Sequence, residues 1–113
     1  MSFDEDAVRI TVFLSEDDRH HHHGLHEVLL NRALEIGIVG ASVWRGIEGF
    51  GPSGRVRTAR FPDANTGLPL VVEVIDTDEH IEEFLRAVSE LAPGSLVTRE
   101  AVRLSRMSSS VGP

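Results

Sequence analysis

The sequence contains no cysteine and no lysine. The lack of cysteine excludes disulfide bonds, thiolate zinc sites and a thiol nucleophile. No apolar run approaches the roughly 18 residues that a membrane-spanning helix needs, so we expect no direct insertion into a membrane. The first residues, MSFDEDAVR, are acidic and lack the apolar segment of a secretory signal. These absences predict a cytoplasmic protein.

The charge of the chain restricts its partners. The 113 residues, which suit a single domain, carry a formal net charge of −7. An acidic domain repels the phosphates of a nucleic acid, so we expect no nucleic-acid partner. All eleven basic residues are arginines, whose planar guanidinium groups suit phosphate and carboxylate. A local cluster of arginines on this acidic body therefore favours a small anionic ligand.

The hydrophobic pattern predicts an α+β fold of one sheet and two helices. Apolar residues alternate at Val8, Ile10, Val12 and Leu14, as in a strand with one buried face. Further along the chain, apolar spacing typical of two amphipathic helices and three more strands gives the order β-α-β-β-α-β. This order is typical of the ferredoxin-like plait, in which both helices cover one face of an antiparallel sheet. The predicted elements are a strand at 7–15, a helix at 25–36, strands at 41–47 and 68–76, a helix at 81–91 and a strand at 96–107. A capping box of Asp76 and Glu79 is predicted to precede the second helix.

The domain organisation follows from the same pattern. We interpret residues 1–6 and 108–113 as flexible tails and residues 7–107 as the domain. Residues 50–67 are rich in glycine and proline and predict a long mobile loop, which in a compact domain is usually functional. In the plait, the ends of the first two strands and the start of the last strand share one edge of the sheet. The histidine-rich segment DDRHHHHGLHE, the loop and the Ala-Pro-Gly turn at 92–94 should therefore converge.

One segment also carries a family resemblance. Residues 40–60, GASVWRGIEGFGPSGRVRTAR, contain the core G-A-x-V-x-R-G-I-x-G-F-G. This segment resembles the PII-like family catalogued as domain of unknown function 190. The resemblance implies a homotrimer that binds an adenine nucleotide in clefts between subunits. It also implies that the loop docks on a partner, which would be a membrane transporter, a channel or a regulated enzyme.

The resemblance carries over to particular positions. The base of the mobile loop corresponds to Arg45, Gly46, Gly49, Phe50 and Gly51. The turn after the second helix corresponds to Gly94, and the phosphate-binding position on the last strand corresponds to Arg103. PII proteins have a lysine in the turn after the second helix, whereas this chain reads APGSL there.

The residues themselves suggest anion binding at the same place. The glycines allow either an anion-binding nest of backbone amides or a bulge that starts the loop. Among the arginines, Arg57 lies in the loop, whereas Arg45 and Arg103 lie on strands, which hold side chains more firmly. We therefore expect Arg45 and Arg103 to be the main phosphate contacts. Phe50 is the candidate for stacking on a base. Trp44 is expected to pack at a subunit interface or on the second face of the sheet.

The histidines suggest an alternative ligand. Neutral imidazoles at His20, His22 and His26 favour a divalent transition metal, and His22 and His26 would share a helix face if the helix began early. A solvated loop explains the same run without a metal. No nucleophile or metalloprotease motif is present, so we expect no enzyme. The leading hypothesis is a nucleotide-binding regulator, and the alternatives are a metal-responsive trimer and a scaffold that binds only protein.

Overall fold

The computed structural model describes residues 3–60 and 67–108, which form one α+β unit. Its elements in chain order are β1 (Phe3–Ser15), β2 (Arg19–His20), β3 (His23–Gly24), α1 (Leu25–Ile36), β4 (Gly40–Arg45), β5 (Glu48–Gly49), β6 (Arg57–Thr58), β7 (Pro69–Asp76), α2 (Asp78–Leu91) and β8 (Leu96–Arg106). The four long strands form an antiparallel sheet in the order β4-β7-β1-β8. This is the predicted ferredoxin-like topology, and the fold prediction is confirmed.

The core lies between the sheet and the two helices. Ile10 and Val12 of β1 and Val72 and Val74 of β7 are fully buried, because their strands present alternate residues to the helices. Phe84 of α2 is also fully buried against this layer. In the described residues, neither helix is long and apolar enough to cross a membrane.

The opposite face of the sheet is covered by neither α1 nor α2 and presents a row of apolar side chains. Trp44 pairs with Val71, Val71 with Phe13, and Phe13 with Leu96, so the four residues stand side by side across all four strands. We call these four residues the apolar row. The residues Trp44 and Leu96 are 60% and 54% exposed, which is a high exposure for large apolar residues. The neighbouring row, which includes Glu73 of β7, is polar.

The N-terminal tail prediction is wrong for residues 3–6, which form the beginning of β1. Residues 3–7 pair only with residues 102–106 of β8, because β7 pairs with β1 only from Val8 onward. We call this two-stranded extension the β1–β8 ribbon. Arg103 donates to the Asp6 carboxylate at 2.8 Å across the ribbon. Opposite charges on facing residues favour strand pairing, and this partnership cannot be seen in the local sequence DED.

Some predictions concern residues outside the described ranges. Residues 61–66 of the predicted 50–67 loop and residues 109–113 of the predicted C-terminal tail lie there. The mobility of the loop and of that tail stays a prediction. Residues 107–108, which are described, follow β8 without forming part of it.

The predicted capping box at the start of α2 is also wrong. The N-cap is Thr77, and within the described part of the chain its side chain makes no capping hydrogen bond. The carboxylate of Asp76 instead accepts hydrogen bonds from the backbone N–H of Val39 at 2.8 Å and of Thr77 at 2.6 Å. Asp76 thereby connects the segment before β4 to the start of α2.

Candidate ligand cleft at the end of the sheet

The ends of the strands meet at a cleft, as the topology predicts. Ser15 at the end of β1, Pro69 at the start of β7 and Leu96 at the start of β8 line it together with residues of the glycine- and arginine-rich loop. The cleft has a volume of about 480 Å³. This volume lies within the range of small-molecule sites in proteins.

The loop base approaches β7 closely, and two glycines allow this approach. A Cβ atom added at Gly46 would lie 3.1 Å from the Cγ atom of Pro69, and one added at Gly49 would lie 3.3 Å from the same atom. The backbone N–H of Gly46 also donates to the Pro69 carbonyl at 2.7 Å. These two glycines therefore have a packing role, while Gly49 and the neighbouring Gly51 also line the cleft. Anion binding by their amides stays a prediction.

Apolar side chains form one wall of the cleft. Phe50 lines the cleft and is 71% exposed, so its ring is available to a ligand. Phe13 and Leu96 also line the cleft and belong to the apolar row. An exposed aromatic ring beside apolar side chains can stack on a planar group such as a nucleobase.

Arginines form the cationic part of the cleft. Arg55 and Arg57 line it, and the Arg57 side chain is only 23% exposed. Arg57 forms an ion pair with Asp17, in which Nη2 and Oδ2 are 3.5 Å apart. A partly buried guanidinium group with a fixed position is suited to bidentate contact with a phosphate or carboxylate.

Arg45 lies at the same end of the sheet but does not line the cleft. Its Nε atom is 2.9 Å from a carboxylate oxygen of Glu16. The Glu16 carboxylate also accepts a hydrogen bond from the backbone N–H of Leu68 at 3.0 Å. Glu16 therefore connects Arg45, at the end of β4, with the residue before β7. The binding of Arg45 to a ligand stays a prediction.

The structure separates Arg103 from the cleft within one chain. Arg103 lies seven residues beyond Leu96 on β8, which is about 23 Å along the strand. It belongs to the β1–β8 ribbon, where it pairs with Asp6. Within a single chain, Arg103 and Arg45 therefore do not lie at one site.

The turn before β8 contains Gly94, which has a φ of 86°. Gly94 precedes the cleft residue Leu96 by two positions.

The histidine-rich segment forms a hairpin in place of an early helix turn. His21 and His22 have φ values of 49° and 74° and form the two-residue turn between β2 and β3. The helix α1 begins at Leu25, as the sequence predicted, so the early start that would place His22 and His26 on one helix face does not occur. In the residues that the structure describes, no group of three or more His, Asp or Glu side chains can hold a metal ion. The predicted metal site of His20, His22 and His26 is therefore not formed.

The sequence interpretation missed several residues of the cleft, among them two that lie beside Arg57. Asp17 and Gly67 had no role in the predicted anion site, yet both line the cleft beside Arg57. The convergence of strand ends was the available signal, because Asp17 follows β1 and Gly67 lies just before β7. The contact between them depends on loop geometry, which periodicity does not encode.

Comparison with solved structures defines the class of fold. The CPII protein of Thiomonas intermedia K12, described as a nitrogen regulatory PII-like protein, has been solved with ADP and bicarbonate bound. The two chains are 16% identical and superpose with a TM-score of 0.63, and the match covers 92% of this chain and 93% of CPII. A putative PII-like signaling protein of Thermus thermophilus superposes with a TM-score of 0.59 at 16% identity, and that match covers 91% of each chain. The fold is therefore PII-like.

Sequence comparison then gives the family. The chain belongs to the domain of unknown function 190 family, DUF190, described as "Uncharacterized ACR", whose model matches residues 7–104. A UPF0166 protein of Aquifex aeolicus (strain VF5) is 36% identical over 95 residues, which cover 84% of this chain and 90% of that protein. The family resemblance predicted from the segment around Arg45 is confirmed.

Proposed function

We propose that this protein is a PII-like regulatory protein, and not an enzyme, that binds an adenine nucleotide in the cleft at the end of the sheet. The observation that carries the proposal is the presence of the exposed Phe50 ring and the Arg57 guanidinium in one cleft. An aromatic ring suits the flat base of a nucleotide, and a guanidinium suits its phosphates. The same groups also suit a smaller oxyanion bound beside the nucleotide.

The choice of first ligands comes from the similar fold of CPII. That protein has been solved with ADP and bicarbonate and also with AMP. At 16% identity the likeness extends to the fold alone, so ADP, AMP and bicarbonate are candidates for this chain. A nucleotide needs contacts to a base and to phosphate at the same time, and both kinds of side chain line the cleft.

We further propose that the protein assembles as a homotrimer through the open face of the sheet. The apolar row leaves Trp44 and Leu96 exposed in the single chain, and covering them would remove large apolar surfaces from water. Phe13 and Leu96 belong both to the apolar row and to the wall of the cleft. A second copy packed on the row would therefore reach the rim of the cleft and could contribute ligand contacts.

The loop is the proposed surface for a regulated partner. Ile47 and Val56 are 78% and 60% exposed, and Phe50 lies between them in the sequence. Exposed apolar residues among arginines are typical of protein contact surfaces. We propose that ligand binding changes the position of this loop and so controls docking on a transporter, a channel or an enzyme.

Calorimetric titration tests the binding proposal. Wild-type protein is titrated with ADP and AMP, each with and without bicarbonate, and binding is expected for at least one nucleotide. Thermal unfolding in the same solutions gives a second readout, because a ligand at 100 times its Kd stabilises the native state by roughly 2.7 kcal/mol. The variant Arg57→Gln should bind more weakly, whereas Arg86→Gln on α2 should match the wild type, because α2 does not line the cleft.

The alternatives predict different results in the same experiment. Failure of every nucleotide to bind would contradict the proposal and leave the protein-binding scaffold. Equal affinities for Arg57→Gln and the wild type would mean that a nucleotide binds outside this cleft. The metal-responsive alternative is not supported, because the described histidines and acids form no metal-holding group.

A further inference from the structure

An acidic side chain of the protein itself occupies the cationic part of the cleft. The Asp17 carboxylate and the Arg57 guanidinium meet over Gly67, which has a φ of 75°. A Cβ atom at Gly67 would collide with the Asp17 carboxylate and would lie 2.8 Å from Nη1 of Arg57. The pair is therefore packed against the backbone at the position where the loop returns to the sheet.

The neighbouring acid, Asp18, has a different role from Asp17. Asp18 also lines the cleft, but its carboxylate accepts a hydrogen bond from the backbone N–H of Ser15 at 2.8 Å. That bond closes the turn after β1. The Asp17 side chain is half-exposed, and its carboxylate pairs with Arg57. Of the two acids, Asp17 is the one whose carboxylate can move without breaking the hydrogen bond to Ser15.

An anionic ligand in the cleft and the Asp17 carboxylate would both bind the Arg57 guanidinium. A phosphate or carboxylate that approaches Arg57 meets the negative charge of Asp17 only a few ångströms away, and like charges at that distance repel. The ligand must therefore displace the Asp17 carboxylate from Arg57, or it must bind Arg57 more weakly because the carboxylate stays in place. The rest of the chain adds to this cost, because its net charge is −7.

We propose that Asp17 is an internal competitor of the ligand. In the empty cleft its carboxylate occupies the position at Arg57 that an oxyanion of the ligand takes, and ligand binding displaces it. The inference rests on the proposed function, since it assigns a regulatory residue to the same cleft. It also connects binding to the loop, because Asp17 follows β1 and Arg57 lies on β6. Exchange of partners at Arg57 removes a contact that holds β6 against the end of β1.

The variant Asp17→Asn tests the competition. Asparagine keeps the size of the side chain and removes its charge. Titration with ADP, and separately with inorganic pyrophosphate, should give a Kd about two- to fivefold lower than for the wild type, the range that corresponds to one exposed ion pair. Glu90→Gln is the matched control, since it removes one charge from an exposed position on α2, and its Kd should equal that of the wild type.

A second measurement tests the contact between Asp17 and Arg57 without any ligand. Trypsin cleaves after arginine, so the rate of cleavage after Arg57 reports how firmly β6 is held. Ligand-free Asp17→Asn should be cleaved there faster than the wild type and Glu90→Gln, while cleavage after Arg86 should be unchanged. Thermal unfolding of each variant checks that the comparison is made on folded protein.

The outcomes separate this inference from the proposed function. An unchanged or higher Kd for Asp17→Asn would overturn the competitor role even if the wild type binds ADP well. If no variant binds ADP or pyrophosphate, the proposed function fails, and competition for a ligand at Arg57 fails with it. In that case, faster cleavage after Arg57 in Asp17→Asn would support only the structural contact, and an equal rate would overturn that as well.

Discussion

The buried carboxylate of Asp76 lies 2.9 Å from Nδ1 of His80, one helical turn further along the chain. Burial acts against the charged form of Asp76, but hydrogen bonds from His80, Thr77 and Val39 outweigh it and lower the pKa of Asp76. The hydrogen bond to Asp76, together with the negative charge of the carboxylate, raises the pKa of His80 above its ordinary value of 6.5. The pair connects the end of β7 with α2 at the side of the sheet away from the cleft.

The first prediction concerns the pH dependence of stability. Because the pKa of His80 is raised in the folded state, its protonated form stabilises the fold fully below pH 6.5, and this contribution disappears as pH rises through the folded pKa. Urea unfolding should therefore show that His80→Gln is less stable than the wild type in the acidic range, with a gap that narrows toward alkaline pH. The other histidines are present in both proteins, so their titration cancels in the difference in stability between the wild type and His80→Gln. A gap that widens with pH would contradict the assigned hydrogen bond.

The same pair predicts a second transition in acid. The lowered pKa of Asp76 means that its contribution is present above pH 3.8 and is lost as pH falls through the folded pKa. Asp76→Asn should be less stable than the wild type near neutral pH, and the difference should shrink below pH 3.8. Asp78→Asn on the same helix is a suitable control, since its side chain is exposed.

A third prediction uses two glycines of similar conformation. Gly67 and Gly54 have φ values of 75° and 72°, so alanine is strained by about 1–2 kcal/mol at either position. At Gly54 an added Cβ would meet nothing within 4 Å in the described structure, whereas at Gly67 it would collide with Asp17. Denaturant unfolding should show a larger loss of stability for Gly67→Ala than for Gly54→Ala. Equal losses would mean that Asp17 moves aside without cost.

The fourth prediction compares two arginines. Arg57 lines the cleft, whereas Arg45 lies outside it and is bound to Glu16. We expect Arg57→Ala to weaken ADP binding by roughly tenfold or more, as for the loss of a charge-assisted hydrogen bond, and Arg45→Ala to have a smaller effect. Titration calorimetry measures both. A larger loss for Arg45→Ala would restore the original expectation from the sequence and would indicate that assembly brings Arg45 to the ligand.

The fifth prediction concerns assembly. Trp44→Glu places a charge in the apolar row and should give a monomer, while the wild type should have the mass of a trimer. Leu34→Glu is the matched control, because Leu34 is 78% exposed on α1, on the other side of the sheet. Light scattering after gel filtration at micromolar concentration measures the three masses. A monomeric wild type would remove the basis for a cleft shared between subunits.

The sequence predicted the fold well because the fold depends on periodic burial. Alternation at Ile10 and Val12 and helical spacing around Phe84 determine which faces meet, and the structure buries these residues fully. The ends of elements were predicted less well. Asp6 was assigned to a tail because its partner, Arg103, lies 97 residues further along the chain. A local pattern contains no information about such a partner.

The site was predicted in part for the same reason. The place of the cleft followed from topology, and Phe50 and Arg57 both line it. The contacts of the arginines were not predictable, because each depends on which acid a turn brings close. Glu16 and Asp17 are adjacent in the sequence, yet they bind Arg45 and Arg57 respectively. Only the geometry of the turn after β1 distinguishes them.

The β1–β8 ribbon makes the molecule convenient for fluorescence work. Ser105 lies on the ribbon, nine residues and about 30 Å along β8 from Leu96 at the cleft. Because the chain has no cysteine, Ser105→Cys would provide a single thiol for a dye. A dye at that position is far enough from the cleft to leave it open. Energy transfer between the dye and a fluorescent nucleotide would then report occupancy of the cleft directly.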